Sequence, residues 1–414
     1  MSELLTAYAR VAGEDVIDHL VQLAAHYRDL KVVHVNSTRV GGGVAEILNK
    51  LVPLSRELGL DVDWLVIQGD PAFYQCTKGI HNALQGNAVN LTPRQVEAFE
   101  ETAARNAESL RPQLEAADLV FIHDPQPAAL LAQCPGRRGR WVWRCHVDAS
   151  RPYRPVWRFL RRYVAGYDAS VFSLAAFAQA LPHPEYLIPP SIDPLSDKNV
   201  DLETDEIAAV HRQFDLDPER PLVTQVSRFD RFKDPVGVIQ AYRLAKGFVP
   251  GLQLVLAGGS AEDDPEGEVI LAETRTAAGE DPDVHILALP PDAHRTINAL
   301  QRASDLVMQK SLREGFGLTV TEALWKGRPV IGGDTGGIRL QVVDHHTGFL
   351  VSTPEGAALR MRYLLNNPPL RAAMGEKGRS FVRDNFLLTR QLREYLTLGL
   401  GLLRGQGDRI DLEG

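Results

Sequence analysis

The sequence predicts an α/β protein made of two Rossmann-like, doubly wound parallel-sheet domains, and three observations carry that expectation. Short β-branched runs alternate with stretches of helical periodicity along almost the whole chain. The runs are apolar without the in-and-out alternation of a half-wet sheet, as suits parallel strands covered on both faces. The alternation stops at a proline-rich, polar stretch and then starts again, dividing the 414 residues into two halves.

Residues 3–30 place Val16, Leu20, Leu23, Ala24 and Tyr27 at helical spacing and read as one or two amphipathic helices. Lys31-Val32-Val33-His34-Val35-Asn36 is the first strand, followed by Gly41-Gly42-Gly43 and a helical stretch to Leu58. Gly59 stops that helix, and residues 62–68 form the next strand, completing a βαβ unit. A helix over 93–114, strands at 119–123 and 141–145, a helix over 156–165 and a strand at 170–173 before a small-residue helix continue the pattern. Pro182-His183-Pro184 and Ile188-Pro189-Pro190 then interrupt regular structure, because proline offers no N–H donor to a ladder or helix. Polar residues 196–205 mark the boundary. Beyond it come strands at 222–226, 252–257, 284–287, 306–308 and 330–331, with helices between them, the first over 235–245. A last helix over 389–403 precedes a tail, 405–414, expected to fray. The expected domains are 1–193 and 194–385, with 386–414 as the final helix and tail.

Composition narrows the class. Charged residues make up 24% and hydrophobic ones 44%, and 45 Lys and Arg against 53 Asp and Glu leave a net charge of −8. Without a basic stripe there is no broad nucleic-acid surface. Cys76, Cys134 and Cys145 form no CxxC pair, so no disulfide scaffold is expected. Glu3, Glu14, Asp15 and Asp18 interrupt the early apolar pattern as no signal peptide would tolerate. No run approaches the ~18 to 20 apolar residues that span a bilayer. The expectation is a cytoplasmic chain with neither membrane nor nucleic acid as partner; a homodimer stays open.

Four constellations could carry chemistry. Gly41-Gly42-Gly43 would bare N–H groups at a helix N-terminus, suiting an anion or a polar sugar, although a tight turn explains it equally well. It does not match the dinucleotide fingerprint G-x-G-x-x-G. In Ser227-Arg228-Phe229-Asp230-Arg231-Phe232-Lys233-Asp234-Pro235, Asp234 reads as an N-cap and Pro235 as the first helical residue. Arg228 and Lys233 then lie beyond the carboxyl end of a strand, where open α/β sheets bind ligands, and their fork and point charge suit a diphosphate. Arg231 reads as solvated loop charge. The sharpest element is Glu314-Gly315-Phe316-Gly317-Leu318-Thr319-Val320-Thr321-Glu322. Its glycines bare a loop entering a helix near Leu318 or Thr319, whose first amides can hold phosphate oxygens. Glu314 and Glu322 offer one sugar-hydroxyl acceptor on either side of those amides. The fourth set is His123-Asp124-Pro125-Gln126-Pro127 with His146-Val147-Asp148, each after a strand. They read either as an acid–base dyad or as plain hydrogen-bonders. Cys145-His146 has no second pair at ligand spacing, so no protein metal site is read, although a divalent cation stays open.

With those residues in view, the E-x7-E element and its internal Gly-Phe-Gly resemble the signature of the family-four retaining glycosyltransferases. The loop from Ser227 to Asp234 resembles the same family. So do Gly327-Arg328-Pro329-Val330-Ile331, Thr335-Gly336-Gly337-Ile338 and Thr347-Gly348-Phe349-Leu350-Val351, and the match covers most of residues 221–352. One departure stands out: the family has Pro-Glu after Gly-Gly-Ile, and here Arg339-Leu340-Gln341 follows. In the first half, Val35-Asn36-Ser37-Thr38, Gly41-Gly42-Gly43-Val44-Ala45-Glu46 and His123-Asp124-Pro125-Gln126-Pro127 resemble the trehalose glycosyltransferring synthases and related trehalose phosphorylases.

The resemblance implies a GT-B architecture with the active site in the cleft and a last helix crossing back to the first domain. It implies transfer of glucose from a nucleoside-diphosphate glucose, with ADP, UDP or GDP undecided, to free glucose with retention, giving α,α-trehalose. Donor contacts would be Gly42, Gly43, Arg228, Lys233, Glu314, Gly315, Phe316, Gly317, Leu318, Thr319 and Glu322. Arg228 and Lys233 would neutralise the diphosphate, Glu322 hold the ribose, and Glu314 with the Gly315 to Thr319 amides the transferred glucose. His146 would meet that sugar near its 6-hydroxyl, so that Arg228, Lys233, Glu314 and His146 form the catalytic set. Asp124, Gln126, His146 and Asp148 would face the acceptor. No cofactor is expected beyond the nucleotide-sugar substrate. Rivals are a trehalose phosphorylase, a family-four enzyme with another acceptor, a nucleotide-sugar epimerase, and a catalytically silent sugar-nucleotide-binding protein.

Overall fold

The computed structural model describes residues 2–40, 42–259 and 265–405. Gly41 of the triple-glycine loop and tail residues 406–414 lie outside the described residues. The chain forms two compact units: described residues up to Ser191 together with those from Leu388 onward, and Ile192–Leu387.

The first unit opens with α1 (Glu3–Ala12) and α2 (Glu14–Ala25), so the early pattern resolves into two helices broken at Gly13. Then come β1 (Lys31–Asn36), α3 (Gly43–Glu57), β2 (Asp61–Val66), α4 (Pro71–Leu84), α5 (Pro93–Ala116) and β3 (Leu119–His123). β4 (Arg140–Arg144), α6 (Arg154–Val164), β5 (Ala169–Phe172) and β6 (Glu185–Leu187) follow. All six strands are parallel in the order β2-β1-β3-β4-β5-β6. One face of the sheet buries Val33, Val35, Val120, Ile122, Trp141 and Trp143. Val32, His34 and Phe121 lie at the alternate positions, as the period of two requires.

Two expectations are corrected here, and one element is added. The helix expected after β5 is a single 3₁₀ turn, Ala175–Phe177. Phe177 is buried and the Gln179 amide donates to the Ala149 carbonyl at 2.7 Å, which draws the chain out straight. The proline clusters flank a short strand, β6, rather than excluding one; at the edge of a sheet few of its N–H groups have a ladder to serve. α4 was not foreseen, although Asp70 caps it by accepting from the Phe73 N–H at 2.9 Å and Pro71 is its first residue.

The second unit contains α7 (Thr204–Gln213), β7 (Leu222–Val226), α8 (Pro235–Lys246), β8 (Gln253–Gly258), α9 (Pro265–Ala278), β9 (Val284–Ala288), α10 (His294–Ala303) and β10 (Leu306–Gln309). α11 (Leu318–Trp325), β11 (Val330–Gly333), α12 (Ile338–Gln341), β12 (Gly348–Val351), α13 (Pro354–Leu365) and α14 (Pro368–Asn385) complete it. Its strands are also all parallel, in the order β12-β11-β10-β7-β8-β9. β12 adds a sixth strand to the five expected.

α15 (Leu388–Arg404) returns the chain to the first unit, where it packs on α2 and α3. The Tyr27 hydroxyl donates to the Leu396 carbonyl at 2.5 Å, and Arg390 donates to the Pro189 and Pro190 carbonyls at 3.0 and 3.1 Å. Among the described residues no helix is long and apolar enough to cross a membrane.

Candidate active site

In an open parallel sheet, ligands bind beyond the carboxyl ends of the strands where the order reverses. In the second unit that place lies between β7 and β10, which are hydrogen-bonded neighbours. The loop after β7 carries Arg228 and Lys233, and the loop after β10 carries Glu314. Their convergence follows from that adjacency. Lys233 Nζ donates to Glu314 Oε2 at 2.5 Å, and Ser311 Oγ donates to the same oxygen at 3.0 Å. Arg228 lies further out, its side chain 61% exposed, with Nη2 donating to Asp230 at 3.2 Å. Asp234 caps α8 as read from the sequence, accepting from the Gly237 N–H at 3.1 Å, and also pairs with the buried Lys310.

The glycine loop enters α11 without a side-chain cap; Gly317, at φ 85°, occupies the capping position. That leaves the Leu318 and Thr319 amides without intrahelical acceptors, on a positive helix end. The Thr335-Gly336-Gly337 turn braces the loop. The Gly337 N–H donates to the Gly315 carbonyl at 3.0 Å. A Cβ on Gly336 would stand 1.7 Å from the Glu314 carbonyl oxygen, so only glycine fits there. Phe316 is buried and packs its ring 5.8 Å from that of Phe386, and Thr319 Oγ1 donates to Gln309 at 3.2 Å. Glu322 is buried one turn inside α11. One turn on, the Lys326 ammonium donates to the Glu322 carbonyl at 3.1 Å and to Asn199 at 3.2 Å. Burial pushes the Lys326 pKa down, with the Glu322 carboxylate opposing.

In the first unit Gly42, at φ 82°, caps α3 without a side chain, and Gly43 is that helix's first residue. This places them beyond β1, beside the end of β3. Asp124 follows β3 in a left-handed conformation, φ 65°, and its Oδ1 accepts the His146 N–H at 2.7 Å. Burial pushes the Asp124 carboxyl up to about 6, opposed by that hydrogen bond and by Arg144. Gln126 Oε1 is buried with no hydrogen-bond partner. Asp148 accepts from the Ser150 N–H at 2.9 Å, a local turn contact. Asp124 and His146 therefore meet, whereas Asp148 turns to its own loop. Among the described residues no three His, Cys, Asp or Glu side chains group so as to hold a metal ion.

Sequence reasoning missed several residues. Gln225, buried on β7, ties the two loops together: its amide donates to the Lys233 carbonyl at 3.0 Å and accepts from the Lys310 N–H at 3.1 Å. Gln341 stands just past the position where the family acid is missing and donates to the Phe316 carbonyl at 2.5 Å and the Gly337 carbonyl at 3.1 Å. His34, on β1, reaches His123 at 3.0 Å. His34 and Gln225 each left a signal, as a polar residue within a largely apolar run, and Gln341 left none.

Comparison with known proteins completes the picture. Residues 34–179 match a family model described as trehalose synthase, N-terminal domain, and residues 206–381 match glycosyl transferases group 1. A trehalose synthase of Pyrococcus horikoshii is 46% identical over 402 residues, with 95% of each chain covered. A trehalose phosphorylase of Pleurotus pulmonarius is 28% identical, covering 97% of this chain and 61% of that protein. A solved structure of trehalose-6-phosphate from E. coli bound with UDP-2-fluoro glucose superposes with a TM-score of 0.72 at 13% identity, covering 89% of this chain and 98% of that one. This last likeness bears on the fold alone.

Proposed function

The chain belongs to the trehalose synthase family of the group 1 glycosyltransferases and is a hexosyltransferase of GT-B fold, and from that premise we propose its reaction: retaining transfer of glucose from a nucleoside-diphosphate glucose to free glucose, giving α,α-trehalose. The observation that carries the donor half is the meeting of Lys233, Glu314 and the uncapped start of α11 at the point where the second sheet reverses its order. Lys233 and Arg228 offset the charge of a diphosphate, and the Leu318 and Thr319 amides point their N–H groups at its oxygens. Glu314 Oε2 is already engaged by Lys233 and Ser311, which leaves Oε1 as the acceptor for a hydroxyl of the transferred glucose. Glu322 takes the ribose.

The C1–O bond to the diphosphate breaks as a C1–O bond to the acceptor forms on the same face, and the acceptor proton passes to the departing phosphate oxygen. Positive charge grows on the sugar and negative charge on the leaving group. Fixed cations and amides aimed at that leaving group stabilise the transition state more than the substrate. On the other unit, His146 meets the transferred sugar while Asp124, Gln126 and Asp148 orient the acceptor. The unpaired, buried Gln126 Oε1 supports this, since buried acceptors are rarely left without a donor.

Incubation with glucose and ADP-, UDP- or GDP-glucose, followed by NMR of the product, tests the reading. An α,α-linked disaccharide and a nucleoside diphosphate are expected from at least one donor. No disaccharide from any donor would overturn it, and glucose 1-phosphate made from trehalose and phosphate would favour a phosphorylase instead.

A further inference from the structure

Three imidazoles stand in line beneath the acceptor-side rim of the first unit. His34 Nδ1 lies 3.0 Å from His123 Nε2, and His123 Nδ1 lies 3.0 Å from His146 Nε2. Adjacent rings are stacked, with centroids 5.3 Å apart in both pairs. The inner ring is itself held against Phe121, 4.9 Å between centroids at 9°, and against Tyr395 of α15 at 6.3 Å. The residues come from β1, β3 and the loop after β4, three neighbouring strands, so the sheet register itself builds the row. The reaction proposed above assigns nothing to His34 or His123.

We propose that His34 and His123 are positioning residues: through two imidazole–imidazole hydrogen bonds they fix His146 in the tautomer that carries its proton on Nδ1, and present that N–H to an oxygen of the transferred sugar. The proposal rests on the reading in which His146 meets that sugar.

The argument is one of counting. A neutral imidazole has one N–H and one lone pair. Burial pushes the pKa of His34 down to about 3 and those of His123 and His146 well below the usual histidine value, with the Arg144 guanidinium adding to the shift for the outer two. All three rings are therefore neutral near pH 7, and the two contacts can be made in only two concerted ways. In one, every proton sits on Nδ1 and every hydrogen bond runs from the interior outward. In the other, every proton sits on Nε2 and the bonds run inward.

The interior end decides between them. His34 is 3% exposed, beside a cavity of about 20 Å³ lined mostly by apolar side chains such as Val32, Leu51, Leu119 and Phe121, with Tyr27, Ser55 and Tyr395 as polar members. The inward arrangement leaves an N–H on His34 Nε2 that makes no hydrogen bond to the Tyr27, Ser55 or Tyr395 hydroxyl, which are engaged with Leu396, Leu51 and Gln391, whereas the outward arrangement leaves a lone pair. Buried N–H groups are orphaned more rarely than buried acceptors. His146 Nε2 is taken by His123, so Nδ1 is the nitrogen that faces a ligand, and it faces as a donor. A ring tied into such a stack has also lost its freedom to flip, which pre-organises the contact.

The experiment uses full-length protein labelled with ¹⁵N in histidine, and the variants His34→Leu and His34→Asn. Long-range ¹H–¹⁵N correlation spectra of the wild-type protein without substrate should show the Nδ1–H pattern for His34, His123 and His146; an Nε2–H pattern for His146 would overturn the proposal. In His34→Leu the His146 pattern should become mixed and kcat should fall about tenfold or more, with KM for the nucleotide sugar little changed. His34→Asn, whose side-chain amide can stand in for the Nδ1–H, should restore most of both. Equal behaviour of the two variants, with thermal melts showing both folded, would also overturn it. The wild-type spectrum needs no substitution, so a variant that fails to fold leaves the test intact. Because that spectrum needs no substrate either, absence of disaccharide synthesis would defeat the proposed reaction while leaving the tautomer result to stand or fall by itself.

Discussion

Lys233 and Glu314 form an ion pair whose side chains are 17% and 9% exposed. The lysine is thus held in place before any diphosphate arrives, and its charge acts where little water can screen it. Lys233→Ala should lower kcat by about 10²-fold or more with a smaller change in KM, because charge on the leaving group grows toward the transition state. Steady-state kinetics decides this, and wild-type turnover would contradict it. Asp124 behaves differently. Its carboxyl is pushed up to about 6, so the folded protein holds that proton more tightly than the unfolded chain does. The group therefore stabilises the fold fully below the ordinary carboxylate pKa, and that stabilisation disappears as pH rises through about 6. Asp124→Asn lacks this loss: relative to wild type, urea denaturation should show it more stable at pH 8 than at pH 4, by at most about 3 kcal/mol. Lys233 and Glu314 were legible because a charged residue in a loop after an apolar strand stands out. His34 was visible only as an oddity, since what it touches comes from β3 and from α15, far along the chain.

At the scale of elements, one side chain joins two loops of the second unit. Asp234 adopts φ 51°, caps α8 and neutralises the buried Lys310. Asp234→Ala removes the cap, which costs about 1 kcal/mol, and strands a buried ammonium, which together should cost about 3 kcal/mol or more. Asp234→Asn keeps the cap alone and should fall between. Equilibrium urea unfolding measures both, and equal stability of the alanine variant and wild type would refute the coupling. The strands β1, β3 and β7 were legible residue for residue because a parallel strand buried on both faces reads as a largely apolar, β-branched run even where one or two polar residues interrupt it. α4 hid because its buried face mixes Cys76 and Thr77 with Phe73 and Ile80, and β12 because it has only four residues. The missing helix after β5 is the reverse case, in which local alanine content lost to the burial of Phe177.

Across the whole molecule, the chain visits the first unit twice. α15 buries Leu388, Leu392, Tyr395 and Leu396, and Gly399 lets it pass so close that a Cβ there would meet the Tyr27 hydroxyl at 2.3 Å. Ending the chain after Leu387 should therefore weaken the first unit and spare the second: calorimetry should show one transition lowered and one retained, whereas a single unshifted transition would contradict this. The sequence by itself determined the two parallel α/β halves and the loops that carry charge, because burial pattern, proline, glycine and helix caps act over a few residues. Only the tertiary structure decided which loops meet. Strand order, not chain order, sets β7 beside β10 and so brings Lys233 to Glu314, and it aligns His34, His123 and His146 across neighbouring strands. Such pairings between distant segments arise when whole faces are buried together, which no short stretch of residues encodes.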